Sequence, residues 1–267
     1  MQQRVSSGFT GPSYYDDCIG PLWFDPFAAD LVQRLPSWPP VDVLEIACGT
    51  GLVTRRLRER VYSSMRVVAT DLSAAMLDYA REKFGDVVGI EWQEANALAL
   101  PFADRSFGAV ICGFGIMFIP DRPAMLKEAR RVLADGGILL FNVWDRIEDN
   151  PHAAVNAAVI EAMFPGDAEM RFRMPYDMHD IDALRQLLAD AGFRETLIET
   201  KRIAITGADP RAIATGQIRG TSRSVLLEKR GVSLDVVIEK VAHALGAAGG
   251  NPYSGYGQAI VVQAHAI

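Results

Sequence analysis

The sequence predicts an α/β fold: a doubly wound, seven-stranded, mostly parallel sheet carrying helical cap insertions. Three observations predict it. Short β-rich apolar runs alternate with segments of helical spacing through the central half of the chain, one such run ends in a glycine turn that opens directly into a helix, and the composition suits a globular protein. The strand-like runs are Val41–Ala47, Arg66–Asp71, Gly89–Gln93, Gly108–Gly113 and Gly137–Trp144. Helical spacing occupies Leu52–Arg60, Ala74–Phe84 and Pro123–Leu133. Crossovers of this length make neighbouring strands parallel and cover the sheet with helices on both faces. The first helix starts after Gly51, the second has Ser73 as its N-cap, and the third follows Asp121 with Pro123 in its first turn.

Beyond Trp144 the pattern loosens. Residues 146–180 form a mixed polar and aromatic segment broken by Pro151, Pro165, Gly166 and Pro175. A helix is expected at Asp180–Ala191, closed by Gly192, then a strand at Thr196–Thr206. Two helical patterns follow at Pro210–Lys229 and Ser233–Leu245, then a glycine-rich turn and a last strand at Gln258–His265. No repeat or linker divides the sequence. The expectation is one domain over 1–267, its core at about 40–145, 180–206 and 258–267, with insertions at about 146–180 and 208–257.

The chain has 267 residues, about half of them apolar, enough for a full core without disulfides or metal. A net charge of −6 with no basic run argues against nucleic acid as a partner. Cys18, Cys48 and Cys112 are scattered and odd in number, which fits a reducing cytoplasm. Met1–Thr10 is polar and does not read as a secretory signal, and no apolar run approaches a bilayer span, so no integral membrane segment is expected. No His, Cys and carboxylate cluster has metal-ligand spacing, so no metal is predicted.

The chemistry concentrates in the first strand and its turn. Glu45, Ala47, Cys48, Gly49, Thr50 and Gly51 run from a buried strand into a helix, and small residues there let a ligand approach the backbone. The next strand ends in Asp71, about twenty residues after Gly51, where a carboxylate can accept both hydroxyls of a ribose. A dinucleotide site prefers the spacing G-x-G-x-x-G, with pyrophosphate on the helix N-terminus. Here the spacing is Glu-x-Ala-x-Gly-x-Gly. An acidic strand end suits the ammonium of an amino-acid moiety, which points away from NAD and toward S-adenosylmethionine (SAM).

Four ordered segments carry a resemblance. Leu44–Gly51 and Ala69–Leu77 are similar to the first and second motifs of class I SAM-dependent methyltransferases. Asn96–Phe107 resembles their approach to the fourth strand, and Arg131–Gly137 the turn before the fifth. The set is similar to the ubiquinone/menaquinone-biosynthesis branch and covers about residues 40–145. The resemblance implies that Glu45, Ala47, Cys48, Gly49, Thr50 and Gly51 line the methionine end of SAM and the approach to its ribose. It further implies that Asp71 holds the ribose, Leu72 and Met76 lie against the adenine, and Asn96 and Ala97 meet the adenine edge. The backbone at Cys112, Gly113 and Phe114 would face the methionine amino group. Ala47 stands where glycine is commoner and Asn96 where aspartate is, which costs the second contact its charge assistance. Cys48 and Cys112 read as packing residues rather than nucleophiles.

Transfer from a sulfonium needs alignment and exclusion of water more than an acid or base. A small-molecule acceptor, aromatic or lipid-like, is the expected substrate, and S-adenosylhomocysteine (SAH) the product. Tyr14-Tyr15-Asp16 precedes the core and resembles the tyrosine-aspartate pair found before this domain in relatives. Tyr15 could close over the SAM carboxylate, and Tyr14, Met117, Phe118 and Trp144 could line the acceptor side; packing explains the same rings. Asp145, His152 and His179 are candidate bases, with both histidines expected as solvated rim residues. Arg171, Arg173, Arg219, Arg223 and Arg230 could receive an acidic substrate or be ordinary solvated arginines. A non-catalytic SAM-binding module and an NAD-dependent oxidoreductase stand as alternatives, and a homodimer is among the assemblies left open.

Overall fold

A computed structural model describes residues 11–36, 42–61, 64–171 and 173–267. Val41 and the segment Met1–Thr10 lie outside the described residues. In chain order the longer elements are helix α1 (Asp25–Gln33), β1 (Val43–Ile46), α2 (Leu52–Arg60), β2 (Val67–Asp71), α3 (Ala74–Phe84) and β3 (Ile90–Glu94). There follow β4 (Phe107–Gly113), α4 (Arg122–Val132), β5 (Leu133–Trp144), α5 (Pro151–Met163), α6 (Ile181–Asp190) and β6 (Phe193–Ala208). The chain closes with α7 (Pro210–Arg219), α8 (Arg223–Lys229), α9 (Leu234–Gly249) and β7 (Tyr253–Ala266). A π-helix, Tyr15–Phe24, precedes α1.

These elements gather into two compact units. One contains the described residues of Phe27–Arg146, Met174–Lys201 and Ala259–Ile267, the other those of Met1–Pro26, Ile147–Arg173 and Arg202–Gln258. The first is built on a seven-stranded sheet in the order β3-β2-β1-β4-β5-β7-β6. β1 pairs in parallel with β2 and β4, β2 with β3, and β4 with β5, while β7 runs antiparallel to β5 from Ile138↔His265 to Trp144↔Ala259. The predicted mixed, mainly parallel sheet is therefore present. β1 is buried along its whole length, as a strand covered on both faces must be. Its core neighbours include Leu31, Leu57, Val67, Ile111 and Leu140.

Helices α2 and α3 start and stop at their predicted residues. Ser73 caps α3 by accepting the Met76 N–H, and Asp121 caps α4 by accepting that of Ala124, which starts α4 at Arg122 rather than Pro123. Two boundaries differ from the expectation, and the loose segment after Trp144 resolves into a helix. The pattern at Pro210–Lys229 is two helices, broken at Gly220–Ser222. A Cβ on Gly220 would come within 2.6 Å of the Tyr15 backbone nitrogen, so the chain turns where it presses on the N-terminal segment. The segment 146–180 holds α5, a thirteen-residue helix that alanine and apolar residues disguise by leaving no polar stripe to reveal a helical period. β7 begins at Tyr253 rather than Gln258.

The second unit is helical. α7 packs on α9 and on the π-helix, and α9 on α5. Gly216 sets the spacing: a Cβ there would lie 2.5 Å from Ile19 Cγ2 and 2.8 Å from Cys18 Cβ. Gly246 on α9 differs, since its Cβ would meet only Pro210 Cγ, at 3.9 Å. Mid-helix Gly→Ala ordinarily stabilises by about 0.5–1 kcal/mol, whereas overpacking costs about 1–3 kcal/mol. Gly246→Ala should therefore raise the midpoint of thermal unfolding and Gly216→Ala lower it, as circular dichroism melts will read.

Candidate active site

The site grows from the carboxyl ends of β1 and β2. β1 ends at Ile46, and Ala47, Gly49 and Gly51 all take left-handed φ, +57°, +55° and +82°, so the turn reverses tightly before α2. The Cys48 N–H still bonds the Thr70 carbonyl at 2.9 Å, and the Gly51 N–H closes on the Cys48 carbonyl at 2.9 Å. A Cβ on Gly51 would strike Phe84 at 2.7 Å, while one on Gly49 would meet nothing within 4 Å. Gly51 thus answers to packing. Gly49 presents its backbone to open space, where a ligand can approach.

Two carboxylates flank this turn. Glu45 is buried and accepts the Thr54 hydroxyl at 2.6 Å. Burial pushes its carboxyl up to about 8 against the Thr54 hydrogen bond, and the charge of Asp71 adds to the rise. Asp71 accepts the Gly49 N–H on Oδ2 and the Ser73 N–H on Oδ1, both at 2.8 Å. Burial raises its pKa, with the Ser73, Gly49 and Leu72 amides pulling the other way. Asp71 therefore also clamps the glycine turn to β2. An ionised carboxylate has about four acceptor positions, leaving it capacity for hydroxyl donors.

The other predicted donor-side residues lie in the same unit. Thr50 is buried, Leu72 is 64% exposed, and Met76 is half-buried on the first turn of α3. Asn96 uses its side-chain oxygen to accept the Leu98 N–H at 2.9 Å, and Ala97 follows it in that turn. Cys48 and Cys112 are buried. Burial holds the Cys48 thiol well above its usual range and pushes Cys112 up to about 12, so both stay protonated and suit packing. Gly113 pairs with Asn142 in the β4–β5 register.

Trp144 and Phe114 stack, their ring centroids 4.3 Å apart, and Phe27 meets both edge-on at 5.7 and 5.4 Å. Met117 is buried, its sulfur accepting the Trp144 N–H at 3.2 Å, and Phe118 is 51% exposed. Asp145 is buried and accepts its neighbour's N–H, from Arg146, at 2.8 Å. His179 is half-buried, with Nδ1 2.7 Å from the Tyr176 carbonyl.

In the helical unit the expectation for His152 fails. It is buried, its ring stacked on Trp23 at 4.2 Å, and desolvation pushes its pKa down to about 3. Such a neutral imidazole is a poor base at neutral pH. Gln217 Nε2 lies 3.1 Å from its Nδ1, and Asn156 donates to Gln217 Oε1 at 2.6 Å. Arg223, expected on the surface, is buried and donates to Asn156. Arg173, Arg219 and Arg230 pair with carboxylates at Glu161, Asp235 and Asp167, which satisfies their charge within the fold; Arg171 is exposed. Tyr15 packs on Phe24, centroids 4.6 Å apart. Tyr14 is 42% exposed beneath the Arg219 guanidinium.

Sequence reasoning missed Thr54, Phe27 and Asn142. Thr54 lies on α2, Phe27 on α1 and Asn142 on β5, and no local pattern distinguishes them. Among the described residues no group of three His, Cys, Asp or Glu side chains could hold a metal, and no helix is long and apolar enough to cross a membrane.

Comparison with known proteins agrees with this geometry. The methyltransferase domain family matches residues 43–137. The chain is 42% identical over 94 residues to 2-phytyl-1,4-naphtoquinone methyltransferase of Thermosynechococcus vestitus, a match covering 35% of this chain and 42% of the relative. It is 31% identical over 170 residues to the ubiquinone/menaquinone biosynthesis C-methyltransferase UbiE of Shewanella oneidensis, covering 59% of this chain and 68% of that one. The chain thus spans less than half of the first relative and about two thirds of the second. Its fold matches phosphoethanolamine N-methyltransferase 2 of Haemonchus contortus, solved with S-adenosyl-L-methionine, at a TM-score of 0.62 and 18% identity over 98% of this chain and 58% of that one. With four motifs in order along a sheet of this topology, the chain belongs to the class I SAM-dependent methyltransferases.

Proposed function

We propose that the protein transfers the methyl group of SAM to a small, apolar, aromatic acceptor. One observation carries this assignment: two carboxylates, one buried and one clamping the glycine turn, stand at the carboxyl ends of adjacent parallel strands. Doubly wound sheets bind ligands there. The residues fit the donor. Glu45 offers a buried carboxyl that an ammonium would ionise, Asp71 accepts hydroxyls, Gly49 leaves its backbone open, and Leu72 and Met76 give an apolar surface for a base.

When bound, SAM supplies a methyl group already activated on a sulfonium. The chain's part is to hold that group and an acceptor in line and to keep water out. The Phe114, Trp144 and Phe27 cluster supports an aromatic acceptor, in keeping with the quinone chemistry in the relatives' names. Asp145 remains the candidate base for an acceptor that arrives protonated, with His179 the weaker choice. The three free thiols fit a reducing compartment, the cytoplasm.

Isothermal titration with SAH tests the donor site, and turnover of SAM with 1,4-naphthohydroquinones under anaerobic conditions tests the acceptor class. Binding of NAD without binding of SAH would overturn the assignment. Asp71→Ala should weaken SAH binding by about 2–3 kcal/mol, and unchanged affinity would mean that the ribose is held elsewhere.

Glu45 makes a prediction about pH. An ammonium beside it favours its ionised form, so binding at pH 7 should release a proton, and affinity should rise toward the folded pKa of about 8. Titrations in buffers of different ionisation enthalpy measure that proton. The same shift bears on stability. The folded pKa lies above the unfolded carboxyl value of 4.5, so the contribution is full below about pH 4.5 and is lost as pH rises through about 8. Glu45→Gln should flatten this decline in denaturant midpoints between pH 5 and 9 while weakening SAH binding.

A further inference from the structure

Phe114 stands in the left-handed region, at φ +56°, a conformation that strains a bulky residue. Its flanking residues, Gly113 and Gly115, could take that conformation freely, yet neither has a positive φ. Both are glycines for want of room. A Cβ on Gly115 would lie 2.5 Å from Ala47 Cβ and 2.8 Å from Cys112 Sγ, and one on Gly113 would lie 2.7 Å from Val53 Cγ2. The loop after β4 is thus pressed against the glycine turn after β1, and the strain falls on the residue between the glycines that carries a side chain.

A side chain on the adjacent strand bonds the peptide in that conformation. Asn142, buried in β5 opposite Gly113, accepts the Phe114 N–H on Oδ1 at 2.9 Å, and its backbone carbonyl accepts the same N–H at 3.3 Å. The strained peptide is therefore anchored twice by a single residue on the adjacent strand. Anchored so, the Phe114 ring stacks on Trp144.

We propose that Asn142 is a positioning residue: its carboxamide holds Phe114 left-handed and so sets the loop Cys112–Phe114 against the donor side of the site. The proposal rests on the assignment of that site to SAM. Removing the carboxamide acceptor should let the loop relax away from the strained conformation, unless the residue at 114 is a glycine that needs no such hold. Asn142 then matters to ligand affinity only while position 114 carries a side chain.

A double-mutant cycle tests this, with SAH affinity measured by calorimetry and thermal midpoints recorded alongside. Asn142→Leu should weaken SAH binding tenfold or more in the wild-type background and less than threefold in the Phe114→Gly background. Equal losses in both backgrounds, or no loss in either, would overturn the proposal. A residue that only supports the core would lower the thermal midpoint and leave the affinity of the folded fraction unchanged. If Asn142→Leu does not fold, Asn142→Ala and Asn142→Ser serve in the same cycle. Failure of the wild-type protein to bind SAH would refute the donor assignment instead, and so the two failures are told apart.

Discussion

The arrangement depends on keeping a carboxyl group, Glu45, dry at the end of a central parallel strand. Burying a carboxylate without compensation costs several kcal/mol, and the fold meets this cost in two ways. The Thr54 hydroxyl bonds the group at 2.6 Å, and burial holds it protonated up to about pH 8. A cationic ligand would reverse that preference, so the buried acid lowers stability at alkaline pH in exchange for a discriminating contact. Asp71 is tuned differently. Backbone amides solvate its carboxylate on both oxygens, and through the Gly49 N–H it holds the glycine turn.

Strain gathers around the same point. Ala47 and Phe114, at the ends of adjacent strands, take left-handed φ although neither is glycine, while the glycine beside Phe114 is reserved for close approach to Ala47. Backbone strain persists only where surroundings over-determine it. Here the buried β4–β5 pairing and the Asn142 carboxamide do so.

The helical unit spends its polar residues otherwise. His152, Asn156, Gln217 and Arg223 form a buried hydrogen-bonded array linking α5, α7 and α8, with Trp23 of the π-helix stacked on the imidazole. Such arrays rigidify and specify packing when satisfied. The neutral state of His152 follows from burial. A histidine in a proline-bordered segment looks solvated in sequence, because nothing local shows that three helices close over it.

The sequence alone determined what is local or periodic. The strand ending in Glu45, the glycine turn, the limits of α2 and α3, the cap at Ser73 and the carboxylate at Asp71 follow from hydrophobic period, capping chemistry and spacing within about thirty residues. Tertiary structure decided what depends on contacts distant in the chain. It put Asn142 on Phe114 and Gln217 on His152, split Pro210–Lys229 where Gly220 presses on Tyr15, and made Pro151–Met163 a helix by burying one face of it. Local sequence fixes which backbone conformations are cheap, but burial and partner choice depend on neighbours that only folding brings together.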